Sequence, residues 1–245
     1  MGKHRHASFG PASPPQLFES QPKQPERQPG PLHSSGFLSP RTFPMDTFVL
    51  FILLAIGMHV LKTREQAQRI ALLGGYLGQF QIEKLMQDVL GGYQRALSET
   101  DEQRQTQVWR HLETAEQTLS EQFSRFVLEF AKVPEPQARL SRLPLALPFV
   151  SQYFPASTLD LRKLLSLHAH GISQAVQNDP TQPAKRRAFT LSAELMLMQH
   201  SCHWFCRSKM VASARLLARH QTAYAQVLDA VAPSTRHAYL QLTGN

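Results

Sequence analysis

The residues whose types and spacing bear most directly on chemistry are His200, Cys202, His203 and Cys206, in the run His200-Ser201-Cys202-His203-Trp204-Phe205-Cys206-Arg207. On a helix Cys202 and Cys206 stand one turn apart, and His203 neighbours both. Two thiolates and an imidazole converging there suit a soft ion such as zinc or copper(I), with a fourth ligand from His168 or His170 on the preceding helix. The same pair of thiols could respond to oxidant. Structural zinc sites, however, place their cysteines in turns at C-x2-C spacing, whereas this is C-x3-C on a helix. Free cysteine also behaves as a small buried hydrophobe, and Trp204 and Phe205 make the segment a natural piece of core. The core reading is preferred, and no cofactor is assigned.

Nucleophilic catalysis by a Cys-His pair fares worse. A long helix with Met196, Met198, Trp204 and Phe205 on it offers neither an exposed loop nor oxyanion donors. The sequence contains no G-x-S-x-G, Walker, G-x-G-x-x-G or H-E-x-x-H motif. No catalytic residue is assigned, and the chain is expected not to be an enzyme.

The elements that would position these residues follow from one apolar run, Phe48 to Leu61. Phe48, Val49, Leu50, Phe51, Ile52, Leu53, Leu54, Ile56, Val60 and Leu61 make it a membrane anchor over residues 45–62, with Lys62, Arg64 and Arg69 close behind. The run is shorter than the roughly 20 residues that an untilted helix needs to cross about 30 Å of hydrocarbon. Recruitment of Phe43, snorkelling of Lys62 and Arg64, or local thinning of the bilayer would meet the shortfall. A cleaved signal peptide fits less well, because its basic residues precede the apolar region.

Positive charge is retained on the cytoplasmic side. Lys62, Arg64 and Arg69 downstream outnumber Arg27 and Arg41 upstream, so the C-terminal domain is expected in the cytoplasm and the anchor in the inner (plasma) membrane. Residues 1–44 are rich in Pro, Ser and Gln and lack apolar periodicity, the composition of a disordered tail. Met45, directly before the apolar run, is an alternative translation start. Arginine outnumbers lysine 18 to 8, and the two cysteines are too few for a secreted disulfide scaffold.

From Thr63 onward apolar residues recur at steps of three and four, and no stretch alternates with period two. The fold class is therefore all-α, a single transmembrane helix followed by a helical bundle with a long antiparallel hairpin over 63–132. One arm is expected from Thr63 to Leu97, with Ile82, Met86, Val89, Tyr93 and Leu97 on its inner face. The other, from Glu99 to Lys132, carries Val108, Leu112, Ala115, Leu119, Phe123, Phe126 and Phe130 on one stripe, with Glu113, Glu116 and Glu121 off it. Gly74 and Gly78 form a small-xxx-small pair that permits close helix approach and hence a homo-oligomer.

Residues 133–157 carry Pro134, Pro136, Pro144, Pro148 and Pro155 and cannot form a regular helix. Their Leu140, Leu143, Leu145, Leu147, Phe149, Val150, Tyr153 and Phe154 make this an apolar loop, packed across the bundle or dipping toward the membrane. Residues 158–245 form a basic helical segment: a helix capped by the Ser157–Asp160 cluster and ending at Asn178-Asp179-Pro180, a long helix from about Ala184 to Val231, and a short one over Thr235–Leu242.

Residues 134–245 hold 12 basic and 5 acidic side chains out of a net charge of +8 for the whole chain. Lys185, Arg186, Arg187, Arg207, Lys209, Arg215 and Arg219 could form a stripe against anionic lipid headgroups, each worth about 1 kcal/mol near the surface. The expected partners are the lipid bilayer and an unidentified protein, and the expected role is that of an interaction or scaffolding module. The rivals are a metal- or redox-responsive protein built on Cys202, His203 and Cys206, and, ranked lowest, a membrane-tethered nucleic-acid-binding domain.

Overall fold

Helix α1 starts at Pro44, whose ring pre-sets a helical φ, and runs without interruption to Leu77. The structure is a computed structural model that describes residues 44–144, 148–177 and 182–244. The expected tail lies outside the described residues, apart from Pro44, and so does Phe43. From Pro44 to Leu61 the helix rises about 27 Å at 1.5 Å per residue, which removes most of the shortfall in the apolar run.

The two halves of α1 have opposite surroundings. Among the described residues its N-terminal half is not buried, with Phe48 62% and Leu50 66% exposed. The C-terminal half packs into the bundle: Leu73 is buried and Tyr76 meets Phe130 edge to face at 5.5 Å. This is one helix long and apolar enough to span a membrane.

The arm expected to continue unbroken to Leu97 is interrupted at 78–81. Glycines at 74, 75 and 78 weaken helix propensity, and the chain tightens into short bonds from Gln79 and Phe80 back to Tyr76 and Leu77. Helix α2 (Ile82–Ser98) then buries Ile82, Met86, Val89 and Tyr93, while Leu97 stays exposed. Helix α3 (Glu102–Phe130) is capped by Asp101, whose carboxylate accepts from the Arg104 N–H at 3.0 Å. Its stripe faces inward as the spacing requires, with Leu112, Leu119, Phe123, Phe126 and Phe130 buried and Val108 and Ala115 packed beside them. Gly92 on α2 is required by close approach, because a Cβ there would collide with Leu112. One expectation is corrected: Glu116 is not off the stripe but only 2% exposed.

The proline-rich region contains more structure than its sequence suggests. After a turn of helix, α4 (Glu135–Ala138), strand β1 (Arg139–Ser141) pairs antiparallel with β2 (Thr158–Asp160), placing Leu140 opposite Leu159. Between the strands lie α5 (Val150–Tyr153) and a 3-10 turn (Pro155–Ser157). The strands correct the purely helical reading, although three residues each are too few to show a period. Val133, Leu140 and Val150 are buried, whereas Tyr153 and Phe154 are 73% and 62% exposed. Leu145 and Leu147 lie outside the described residues.

Helix α6 (Leu161–Val176) is capped by Asp160, at the far end of the predicted cluster, through its bond from the Arg162 N–H at 2.9 Å. The signals expected to end it, at 178–180, are outside the described residues. The single long helix expected next is three: α7 (Ala184–Cys206), α8 (Lys209–His220) and α9 (Tyr224–Ala230). Ser208 divides the first two, its hydroxyl accepting from the Val211 N–H at 3.3 Å, and Gln221 ends α8 in a left-handed conformation. Helix α10 (Pro233–Thr243) closes the chain. The core centres on α7, which is buried on most sides by α6, α8, α9, α2 and the inner half of α1.

Candidate functional site

Helix α7 brings Cys202, His203 and Cys206 onto adjoining turns but does not aim them at one point. Cys202 is buried with its Sγ 3.9 Å from Met198 Sδ. His200 turns to α8 and α9 instead, its Nε2 3.0 Å from Ser213 Oγ and its ring stacked on Tyr224 at 4.6 Å. His203 faces a recess of about 290 Å3 together with Arg215 and Arg219. Of the two proposed fourth ligands, His168 points inward, but to Ser201, and His170 is exposed. Among the described residues no three His, Cys, Asp or Glu side chains gather as a metal ion requires. Burial pushes the Cys202 thiol up to about 12 and the Cys206 thiol to about 11, away from the thiolate form that metal binding or oxidation uses.

A direct test is available. Chelator is expected to leave the melting temperature of the full-length protein in detergent unchanged. Cys206→Ser is expected to cost no more than about 1 kcal/mol, and Cys202→Ser somewhat more because it places a hydroxyl in the core. Loss of stability on chelation, restored by zinc, would reinstate the metal reading.

The contact between His168 Nε2 and Ser201 Oγ, 2.9 Å, is the spacing of a base and a nucleophile. Both residues are 0% exposed, however, and Ser201 also donates to the Leu197 carbonyl at 3.1 Å. The pair ties α6 to α7 in the interior. Nearby, Glu194 is also fully buried, with Oε1 accepting from the Ala232 N–H at 3.1 Å. Gly171 makes room for it, since a Cβ there would come within 2.5 Å of both Glu194 Oε2 and Thr235 Oγ1. Sequence reasoning missed this network because isolated His, Ser and Glu residues on helices carry no periodic signal.

The basic residues divide into separate groups. Lys185 and Arg186 are exposed at the start of α7, but Arg187 is turned inward to Glu116 and Glu113, at 3.3 and 3.4 Å. It is therefore not a free surface contact. Arg207, about 30 Å further along α7, donates to Gln66 Oε1 at 2.7 Å, just past the apolar run. Arg215 and Arg219 are exposed on α8, and Lys209 lies over the rings of Trp204 and Tyr224 at 5.2 and 5.4 Å. Gly74 on α1 and Gly78 just past its end are exposed; a Cβ at Gly74 would meet nothing within 4 Å, whereas one at Gly78 would press on the Gly74 carbonyl oxygen at 3.1 Å. They are not the seat of packing within the chain.

The surface around residues 64–69 is the most elaborately built. Arg69 donates to Glu65 Oε1 at 2.6 Å and to the Phe205 carbonyl at 3.3 Å, with its guanidinium 5.5 Å from the Phe205 ring. Glu65 Oε2 accepts from the Phe149 N–H at 3.1 Å. The ends of α1's apolar half, of α7 and of the proline-rich loop thus meet at one level. No family model, curated protein or solved structure matches the chain.

Proposed function

We propose that this chain is a single-pass protein of the inner (plasma) membrane whose helical domain lies in the cytoplasm and acts as a non-catalytic interaction or scaffolding module. The observation that carries this reading is the division of α1, one continuous helix whose apolar half is wholly unburied and whose other half is built into the bundle. A core helix would be covered, and an exposed apolar surface of this extent needs a solvent other than water. The direct continuation from span to bundle leaves no flexible linker, so the domain is held at the bilayer surface.

The partners are the bilayer, with anionic headgroups against the basic side chains close to it, and a protein that the exposed faces would bind. Self-association through Gly74 and Gly78 is supported by the exposure of both and by the open space beside Gly74. The metal-responsive and nucleic-acid readings have no comparable support.

Labelling with a membrane-impermeant maleimide tests location and orientation together. With Asn245→Cys in a Cys202→Ser, Cys206→Ser background, the protein is expected to stay with the membrane fraction through alkaline carbonate and to resist labelling until cells are lysed. Release by carbonate would remove the anchor, and labelling of intact cells would reverse the orientation.

A further inference from the structure

We propose that the segment Phe149–Phe154 is a second, interfacial membrane contact, lodged in the headgroup layer of the bilayer that α1 spans; this rests on the reading of α1 as a transmembrane anchor. Depth is the first argument. Glu65, which holds the Phe149 N–H, is four residues past Leu61, or about 6 Å along the helix. A headgroup layer is roughly 5–7 Å thick on each side of the hydrocarbon, so Phe149 is fixed within it.

Composition and exposure are the second argument. Phe149, Tyr153 and Phe154 are 36%, 73% and 62% exposed, three aromatic residues within a six-residue segment whose remaining apolar residue, Val150, is buried. Tyrosine is enriched at membrane–water interfaces, where its ring lies among lipid and its hydroxyl reaches water, and the two phenylalanines add apolar area to the same segment. Phe149 also holds a left-handed backbone at φ 60°, a conformation that a bulky residue adopts only when its surroundings enforce it. The bond to Glu65 supplies that enforcement.

The third argument is the space beside the loop. A recess of about 630 Å3 opens between α1 and the loop, lined by Leu61, Arg64, Leu72, Arg139 and Phe149 among others. Its wall runs from the last apolar residue of the anchor to a guanidinium three positions on, the order in which an acyl chain and an anionic headgroup present themselves. Arg207 meets α1 at Gln66, close to the level of Glu65, and the exposed Met210 donates its N–H to the Pro144 carbonyl at 3.3 Å. At the depth of the headgroups, a surface that mixes basic and aromatic side chains meets lipid before any soluble partner.

Spin-label depth measurement decides the matter with the full-length protein in vesicles of phosphatidylcholine and phosphatidylserine. Single nitroxides are placed by Tyr153→Cys and Phe154→Cys in the Cys202→Ser, Cys206→Ser background, with Leu54→Cys reporting the anchor and Leu128→Cys, 69% exposed on α3, reporting water. Collision with an aqueous nickel chelate is expected to be at least about threefold lower at 153 and 154 than at 128, with oxygen collision raised. Water-like values at both loop sites beside a deeply buried label at 54 would overturn the interfacial contact and leave the anchor standing. A water-exposed label at 54 would remove the anchor and this contact together.

Discussion

Arg187→Met is expected to destabilise the bundle by about 3–5 kcal/mol, the cost of stranding a buried charge by removing its partner. Glu116 is 2% exposed and receives the Tyr93 hydroxyl at 2.6 Å on Oε1 and the Arg187 guanidinium at 3.3 Å on Oε2. The Arg187 approach is an ion pair without the alignment of a hydrogen bond, so its contribution is charge rather than geometry. Burial raises the Glu116 pKa, against the Tyr93 hydrogen bond and the Arg187 charge, which both favour ionisation. Removing Arg187 takes away the cation that favours its ionised form. The melting temperature should fall by about 10 °C in a domain of this size. Glu116→Gln in the Arg187→Met background should recover more than half of the loss, because an amide keeps the Tyr93 bond and carries no charge. A loss under about 1 kcal/mol for Arg187→Met would mean that the pair is screened as surface pairs are.

The same residues mark where the sequence was legible and where it was not. The α3 stripe was readable because seven apolar positions keep step with the helical period, and Asp101 and Pro134 bound it. The apolar half of α1 was readable for a similar reason, and the helix starts at Pro44, one residue before the expected 45. Beyond α3 the period fails. Helix α7 buries residues on most sides, including Glu194, His200 and Ser201, so no polar face marks its ends. Its separation from α8 falls at Arg207-Ser208-Lys209 and depends on one capping serine, a signal available at Ser208 but unsupported by any nearby Gly or Pro. The Cys202–His203–Cys206 cluster illustrates the opposite error. Spacing placed these residues and His200 together on a helix, whereas Ser213 and Tyr224 against His200, and Arg215 and Arg219 beside His203, come from packing that spacing does not encode. Arg187 and Glu116 were both read as surface residues for the same reason: each is conspicuous as a charge and anonymous as a partner. The collar at Phe149–Phe154 was visible only as an apolar loop with two destinations, and the Glu65 contact is what assigns one of them.

Acidification from pH 7 to pH 5 is expected to weaken the bundle through two histidines that are buried without charge. Burial, reinforced by His200, holds His168 down at about 3. Burial, reinforced by Lys209 and His203, holds His200 at about 4. Around them, α7 contributes Ser201, His203 and Trp204, α8 Ser213 and Lys209, α9 Tyr224 and α10 Tyr239, and among the described residues no carboxylate is hydrogen-bonded to either ring. In the unfolded chain both histidines titrate near 6.5, so between that value and the folded pKa the unfolded state binds more protons. Stability therefore falls as pH drops below about 6.5, by roughly 2 kcal/mol per histidine at pH 5, and this loss levels off once the folded protein is itself protonated near pH 3–4. Glu116 and Glu194 act in the other direction. Burial raises both carboxyl groups, so their cost is present at neutral pH and is relieved as acid protonates them in place. The whole-protein curve sums these opposed contributions, and a single variant separates them. His168→Gln keeps a hydrogen-bonding group opposite Ser201 and removes one titration. Urea unfolding of the full-length protein in detergent at pH 7 and pH 5 should show the variant losing about 2 kcal/mol less than the parent over that interval, whatever its stability at pH 7. Equal losses would mean that His168 is charged in the folded state, and the interior that encloses it would then have to admit water or an acid.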